Sequence, residues 1–213
     1  MDRLRSPGGC PWDAEQSHRS LARYLLEETY EVLEALDSGN REHLREELGD
    51  LLLQVVFHAR VAAEDDASPF DIDDVARGIV DKLVSRHPHV FAAGEVSGAA
   101  EVQVRWDELK AAEKQRTSLL DGIPAAMPAL ARADKVLGRL EHAGLELEPQ
   151  EPELAGSFGQ RLLALVAEAR TAGVDPEAEL RQTLTALGER VRRAEGPEGS
   201  ASEPLAGFDR SDR

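Results

Sequence analysis

The stretch from Leu25 to Gln54 constrains this chain more than any other. Its ends read LLEETYEVLEAL and EELGDLLLQVV, joined by the polar turn Asp37-Ser38-Gly39-Asn40. Each end sets acidic residues inside an otherwise apolar helical pattern. Burying carboxylates is unfavourable unless a cationic partner offsets the lost hydration. If the two ends form an antiparallel helical hairpin, Glu28, Glu31, Glu47 and Asp50 converge on one spot. Four carboxylates there repel one another unless a divalent cation sits among them.

On a helical wheel at about 100° per residue, Leu21, Leu25, Glu28 and Val32 share one stripe of a helix expected over 17–36. Glu31 flanks that stripe, while Glu34 turns to solvent and Glu27 stays ambiguous, one turn from Glu31. A second helix is expected over 41–63, with Leu44, Leu48, Leu51, Leu52, Val55 and Val56 as a wide apolar face. Glu47, Asp50, Gln54 and His58 run along its edge, about one turn apart. Leu44 and Leu51 bracket Glu47, whereas Glu42 and Glu46 read as surface. His58, taken alone, reads as a satisfied interface histidine rather than a metal ligand.

Upstream, residues 1–16 read as a loop or short arm, because Pro7, Gly8, Gly9 and Pro11 oppose a regular helix. Trp12, beside Asp13, either anchors that arm or stacks on a bound ring. Downstream, a third helix begins near the capping residues Asp71 to Asp74, with Ile72, Val75, Ile79 and Leu83 as its apolar face. Lys82 and Arg86 sit four apart and project from one side near its end. They either complement the helix dipole or hold phosphates. Pro88 stops that helix. A fourth, over 99–114, carries Trp106 and Lys110 at i, i+4, a spacing that suits a base and its phosphate or an amphipathic packing pair.

Residues 117–128 (TSLLDGIPAAMP) form a turn-rich connector and the best domain boundary. Three further helices follow, over 129–143, 158–172 and 176–193, with a Pro-containing break at 144–156. The tail from Glu195 reads as disordered. No period-two strand pattern is present, so the expected fold is all-α. The expected layout is a catalytic domain at 1–116, the connector, a smaller helical region at 129–194, and the tail.

A net charge of −16 over 213 residues argues against a nucleic-acid binder, which needs Lys/Arg stripes. A nucleotide substrate is still allowed, since a metal and a few local cations can carry the phosphates. Hydrophobic residues at 41% suffice for a packed core. No apolar run reaches the roughly 18 to 20 residues of a membrane span, and residues 1–13 lack a signal-type apolar segment. The lone Cys10 rules out an intramolecular disulfide. The expectation is a soluble cytoplasmic protein.

The donor set narrows the metal. Zinc prefers Cys and His, and neither has ligand spacing here. A di-iron bundle wants Glu-x-x-His pairs, but the partners three residues on are Glu31 and Asp50. An EF-hand is excluded because no Gly-centred acidic loop is present. Hard oxygen ligands on rigid helices fit Mg²⁺ or Mn²⁺. With no Walker A loop and no dinucleotide fingerprint, the residues point to Mg²⁺-dependent chemistry on a phosphorylated small molecule.

EETYE (27–31) followed after fifteen residues by ELGD (47–50) resembles the EExxE…ExxD signature of the MazG nucleoside triphosphate pyrophosphohydrolases. GCPWDAEQ (9–16), EELGDLLLQVVFHAR (46–60), DKLVSRHPHVF (81–91), RWDELKAAEK (105–114) and DGIPAAMPALARADKV (121–136) also look like segments of that family. The resemblance implies an all-α NTP pyrophosphatase bundle, with a four-helix domain first. It implies hydrolysis of canonical or aberrant NTPs and dNTPs to monophosphate and pyrophosphate, with water as nucleophile. Glu28, Glu31, Glu47 and Asp50 would bind Mg²⁺, Lys82 and Arg86 would contact phosphates, and Trp106 with Lys110 would lie at the nucleotide. Homodimers or higher oligomers are also implied.

Longer members of the family resemble a tandem of two such domains. Here GSFGQRLLALVAEAR (156–170) matches the second, but its acidic positions hold Ser157 and Gln160. The helix that would bear EExxE is missing, so the second repeat reads as truncated and metal-blind. The competing reading is a non-catalytic helical module of the same fold that senses nucleotides.

Overall fold

The computed structural model describes residues 1–92, 98, 101–102, 105–106, 117–145 and 156–195. The chain divides into two compact units, Met1–Gln115 and Arg116–Arg213. The described residues form helices and turns with no strand.

The first unit is built on a hairpin of α3 (His18–Ser38) and α4 (Arg41–Ala62). Ser17 and Ser20 form a reciprocal capping box at the start of α3, Ser17 Oγ accepting from Ser20 N at 3.2 Å and Ser20 Oγ from Ser17 N at 2.9 Å. Gly39 ends α3 at φ 69°, a left-handed conformation that favours glycine. Asn40 begins α4, its Oδ1 accepting from Glu42 N and His43 N. A two-residue connection thus turns the chain back on itself, and α3 and α4 pack along their length.

Two short helices precede the hairpin, α1 (Asp2–Arg5) and α2 (Pro11–Glu15). The arm is therefore not a plain loop. Pro11 occupies the first helical turn, where its missing N–H is no loss, so it starts a helix instead of forbidding one. After the hairpin, Asp71 caps α5 (Ile72–Arg86) in a capping box with Asp74. Pro88 does end α5, and it also opens the short α6 (Pro88–Phe91).

The second unit holds α7 (Ala129–His142), α8 (Phe158–Thr171) and α9 (Pro176–Ala194). Arg170 ties α8 to α7 through Asp134 at 3.1 Å and Glu141 at 2.9 Å. Its guanidinium lies where a Cβ on Gly138 would stand, so a larger residue there would displace it. The connector 117–128 carries no helix. The helix expected over 99–114 falls mainly outside the described residues, of which 101–102 and 105–106 are helical. The tail past Glu195 also lies outside them.

Burial departs from the expected pattern. Leu21 and Ala35 of α3 and Phe57, Ala59 and Ala62 of α4 are buried. On the wide apolar face of α4, Leu48, Leu52 and Val55 are exposed, Leu52 by 59%. On α5, Ile72, Ile79 and Leu83 are exposed as well. A hairpin partner covers one stripe of a helix, and this apolar face is wider than one stripe.

Candidate metal centre

The hairpin brings three carboxylates together. Glu28 on α3 and Glu47 and Asp50 on α4 each offer an oxygen, and these oxygens lie within 4.8 Å of one another. Glu47 is buried, Glu28 and Asp50 half-buried. Among the described residues this is the one group of three or more His, Cys, Asp or Glu side chains so arranged. Glu31 is exposed, one turn beyond Glu28, and adjoins the trio through a carboxyl–carboxyl hydrogen bond to Glu28. Glu27, Glu34, Glu42 and Glu46 are exposed.

Burial holds the Glu28 carboxyl above its ordinary range, helped by the hydrogen bond with Glu31 and by the charges of Glu31, Asp50 and Glu47. Among the described residues, the one basic side chain within salt-bridge distance of the trio is His43, whose Nε2 lies 3.0 Å from Glu47 Oε1. His43 was not a candidate in the sequence. Its signal was the i, i+4 spacing to Glu47 in HLREE, which looks like any surface pair. One turn past Asp50, Gln54 is buried and its Oε1 has no hydrogen-bond partner. A convergent all-oxygen set whose crowding raises the proton affinity of Glu28 fits a hard divalent cation.

The expected phosphate residues differ in setting. Lys82 is exposed on α5. Arg86 is buried, with its guanidinium 5.1 Å from the Trp106 ring centroid. The two cations therefore do not project alike, because Trp106 covers Arg86. Trp106 also meets His87 nearly edge-on at 5.0 Å. Lys110 lies outside the described residues. Trp12 on α2 is half-exposed and edge-on to Tyr24 at 5.8 Å and to Phe57 at 6.5 Å.

His58 has an unforeseen neighbour. Its Nδ1 lies 2.8 Å from His18 Nδ1, the rings are stacked, and its Nε2 is buried without a partner. Burial, then the His18 charge, lowers the His58 pKa. The two histidines are forty residues apart, so no local pattern announces the pair.

In the second unit, Ser157 serves as the N-cap of α8, its Oγ accepting from Gln160 N at 3.2 Å. The positions aligned with the acidic pair thus make a helix cap.

Comparison with known proteins identifies the family. Residues 16–91 match the MazG nucleotide pyrophosphohydrolase domain. An uncharacterized 26.1 kDa protein of Streptomyces cacaoi is 47% identical over 197 residues, covering 92% of this chain and 80% of that protein. The nucleoside triphosphate pyrophosphohydrolase of Mycolicibacterium smegmatis is 46% identical over 200 residues, but this chain spans only 57% of its length. The nucleoside triphosphate pyrophosphohydrolase/pyrophosphatase MazG of Thermotoga maritima is 39% identical over 216 residues, covering 92% of this chain and 82% of that protein. On the strength of these matches and of the acidic hairpin inside the matched segment, the chain belongs to the MazG nucleotide pyrophosphohydrolase family.

Proposed function

We propose that this chain hydrolyses nucleoside triphosphates, canonical or aberrant, to the monophosphate and pyrophosphate, and so clears the nucleotide pool of the cytoplasm. The observation that carries the reading is the convergence of Glu28, Glu47 and Asp50 within 4.8 Å on two antiparallel helices. Together with Glu31 they would hold Mg²⁺, or Mn²⁺ in its place. A bound divalent cation supplies neutralisation of the polyphosphate charge and polarisation of a phosphoryl oxygen.

The chain's own groups bind and orient the rest. Lys82 and Arg86 contact phosphates, with Arg86 held in place by the Trp106 ring. Trp106, Lys110 and Trp12 lie at the nucleoside. His43 keeps Glu47 oriented toward Glu28 and Asp50. The exposed leucines of α4 support assembly as a homodimer. Residues 1–116 form the catalytic domain, and 129–194 form a degenerate second repeat with a structural or dimerisation role.

Phosphorus NMR of the protein with Mg²⁺ and each NTP tests the activity. Monophosphate with pyrophosphate is the expected product pair. Orthophosphate would identify a phosphatase instead, and an unchanged spectrum would leave a nucleotide sensor.

A further inference from the structure

The N-terminal arm is organised around one arginine. The Arg5 side chain is only 4% exposed, although arginine is a residue that proteins seldom bury. Its Nε donates to Glu64 Oε1 at 2.9 Å and its Nη2 to Glu64 Oε2 at 2.6 Å, a bidentate fork. Its Nη1 donates to Gln16 O at 3.0 Å and to Asp13 O. The guanidinium carbon lies 5.7 Å from the Phe57 ring centroid.

Those two carbonyls end α2, the five-residue helix that carries Trp12. A helix so short does not persist alone, and its terminal carbonyls need donors. Arg5 supplies them while anchored to Glu64, just past the end of α4. The same Phe57 ring that lies beneath Arg5 meets Trp12 edge-on. Gly9 lets α1 and α2 fold closely together, since a Cβ there would come within 2.3 Å of Leu4 O. Trp12 remains 49% exposed, and among the described residues no ring lies parallel to it.

We propose that Arg5 is a positioning residue for the nucleotide site, bridging the end of α2 to Glu64 so that the Trp12 ring stands preformed as a stacking wall for the base. This rests on the nucleotide reading above and adds how its aromatic wall is held. Preorganisation of this kind acts on binding, so it shows in KM and leaves the carboxylate chemistry alone. Lysine keeps the charge but cannot form the planar fork, which makes Arg5→Lys the diagnostic substitution.

The experiment compares wild type, Arg5→Lys, Glu64→Gln, Trp12→Leu and Arg5→Lys/Trp12→Leu for steady-state ATP hydrolysis with Mg²⁺, with circular dichroism to verify folding. Arg5→Lys is expected to raise KM about tenfold with kcat within about twofold, and Glu64→Gln to move KM the same way by less. Trp12→Leu should raise KM as well. The double variant should be no worse than Trp12→Leu, because both act through one ring. In a Trp106→Phe background, a non-hydrolysable ATP analogue should quench Trp12 emission, needing about tenfold more analogue after Arg5→Lys.

A drop in kcat without change in KM, or additive effects in the double variant, would overturn the proposal. So would unchanged KM in a folded Arg5→Lys protein, or Trp12 emission that nucleotide does not alter. If Trp12→Leu raises KM and Arg5→Lys does not, the nucleotide reading stands and the positioning role fails. If wild type hydrolyses nothing, the enzymatic reading fails, and the quenching titration alone decides the positioning role.

Discussion

Glu28 and Asp50 stand on antiparallel helices, yet each places a carboxylate oxygen within 4.8 Å of the other. The two-residue connection at Gly39 and Asn40 sets that pairing, since it fixes which turn of α4 faces which turn of α3. An acidic contact whose two backbone positions are fixed opposite each other is relieved only by turning the side chains away. Its strain shows in Glu28, whose carboxyl burial and neighbours hold above the ordinary range.

That strain has a defined pH sign. With its folded pKa raised above 4.5, Glu28 contributes stability that is complete below that value and lost as pH rises through the raised one. Ionising Glu28 therefore costs the metal-free fold stability. Glu28→Gln is expected to raise the melting temperature of chelator-treated protein at pH 7 by roughly 2 °C or more, with the gain shrinking at pH 4. Mg²⁺ should raise the wild-type value and leave the variant nearly unmoved. Calorimetry that found the chelated variant less stable at pH 7 would contradict this.

Glu64 has the opposite sign. Its hydrogen bond with Arg5, aided by the Arg5 and Arg60 charges, lowers its pKa below 4.5. The stability it contributes is present above that value and lost as pH falls through the depressed one. Glu64→Gln should lower the melting temperature at pH 7, with the gap closing in acid. Because Glu64 is more than a third exposed, the effect is screened and should weaken in high salt. A gap that widened toward acid would be inconsistent with this pairing.

Lys82 and Arg86 should separate on mutation. Lys82→Ala, at an exposed position, is expected to raise KM for NTP roughly tenfold with an unchanged melting temperature. Arg86→Lys loses the flat face over Trp106 and should cost about 1 kcal/mol of stability besides weakening substrate. Equal effects of the two on melting would show that the Trp106 contact contributes nothing.

The hairpin was readable in the sequence because its signals are local. Gly39 and Asn40 punctuate it, and the wheel placed Glu28 and Glu47 beside the apolar stripes while sending Glu34, Glu42 and Glu46 to solvent. Covering was not readable. The periodicity of Leu48, Leu52 and Val55 shows which face is apolar, not what lies against it, and among the described residues nothing covers them fully. Contacts between residues far apart in sequence were equally hidden: Arg5 with Glu64, His18 with His58, Arg86 with Trp106. The arm misled for a different reason, since Pro11 can open a helix as readily as end one.

Those uncovered leucines lead to an expectation for the assembly. Light scattering should give a mass about twice the 23.2 kDa chain. Leu52→Asp should shift it toward one chain by placing a charge on the apolar face. A wild-type monomer at micromolar concentration would argue against the dimer.

The most direct test of the acidic hairpin is pyrophosphate release measured against Mg²⁺ concentration, for wild type, Glu28→Gln, Glu47→Gln and the surface control Glu46→Gln. Wild type and Glu46→Gln should saturate with Mg²⁺ at similar rates. Glu28→Gln and Glu47→Gln should fall at least about 100-fold. Folded Glu28→Gln or Glu47→Gln protein that kept more than about a tenth of the wild-type rate would contradict a metal centre built on these carboxylates.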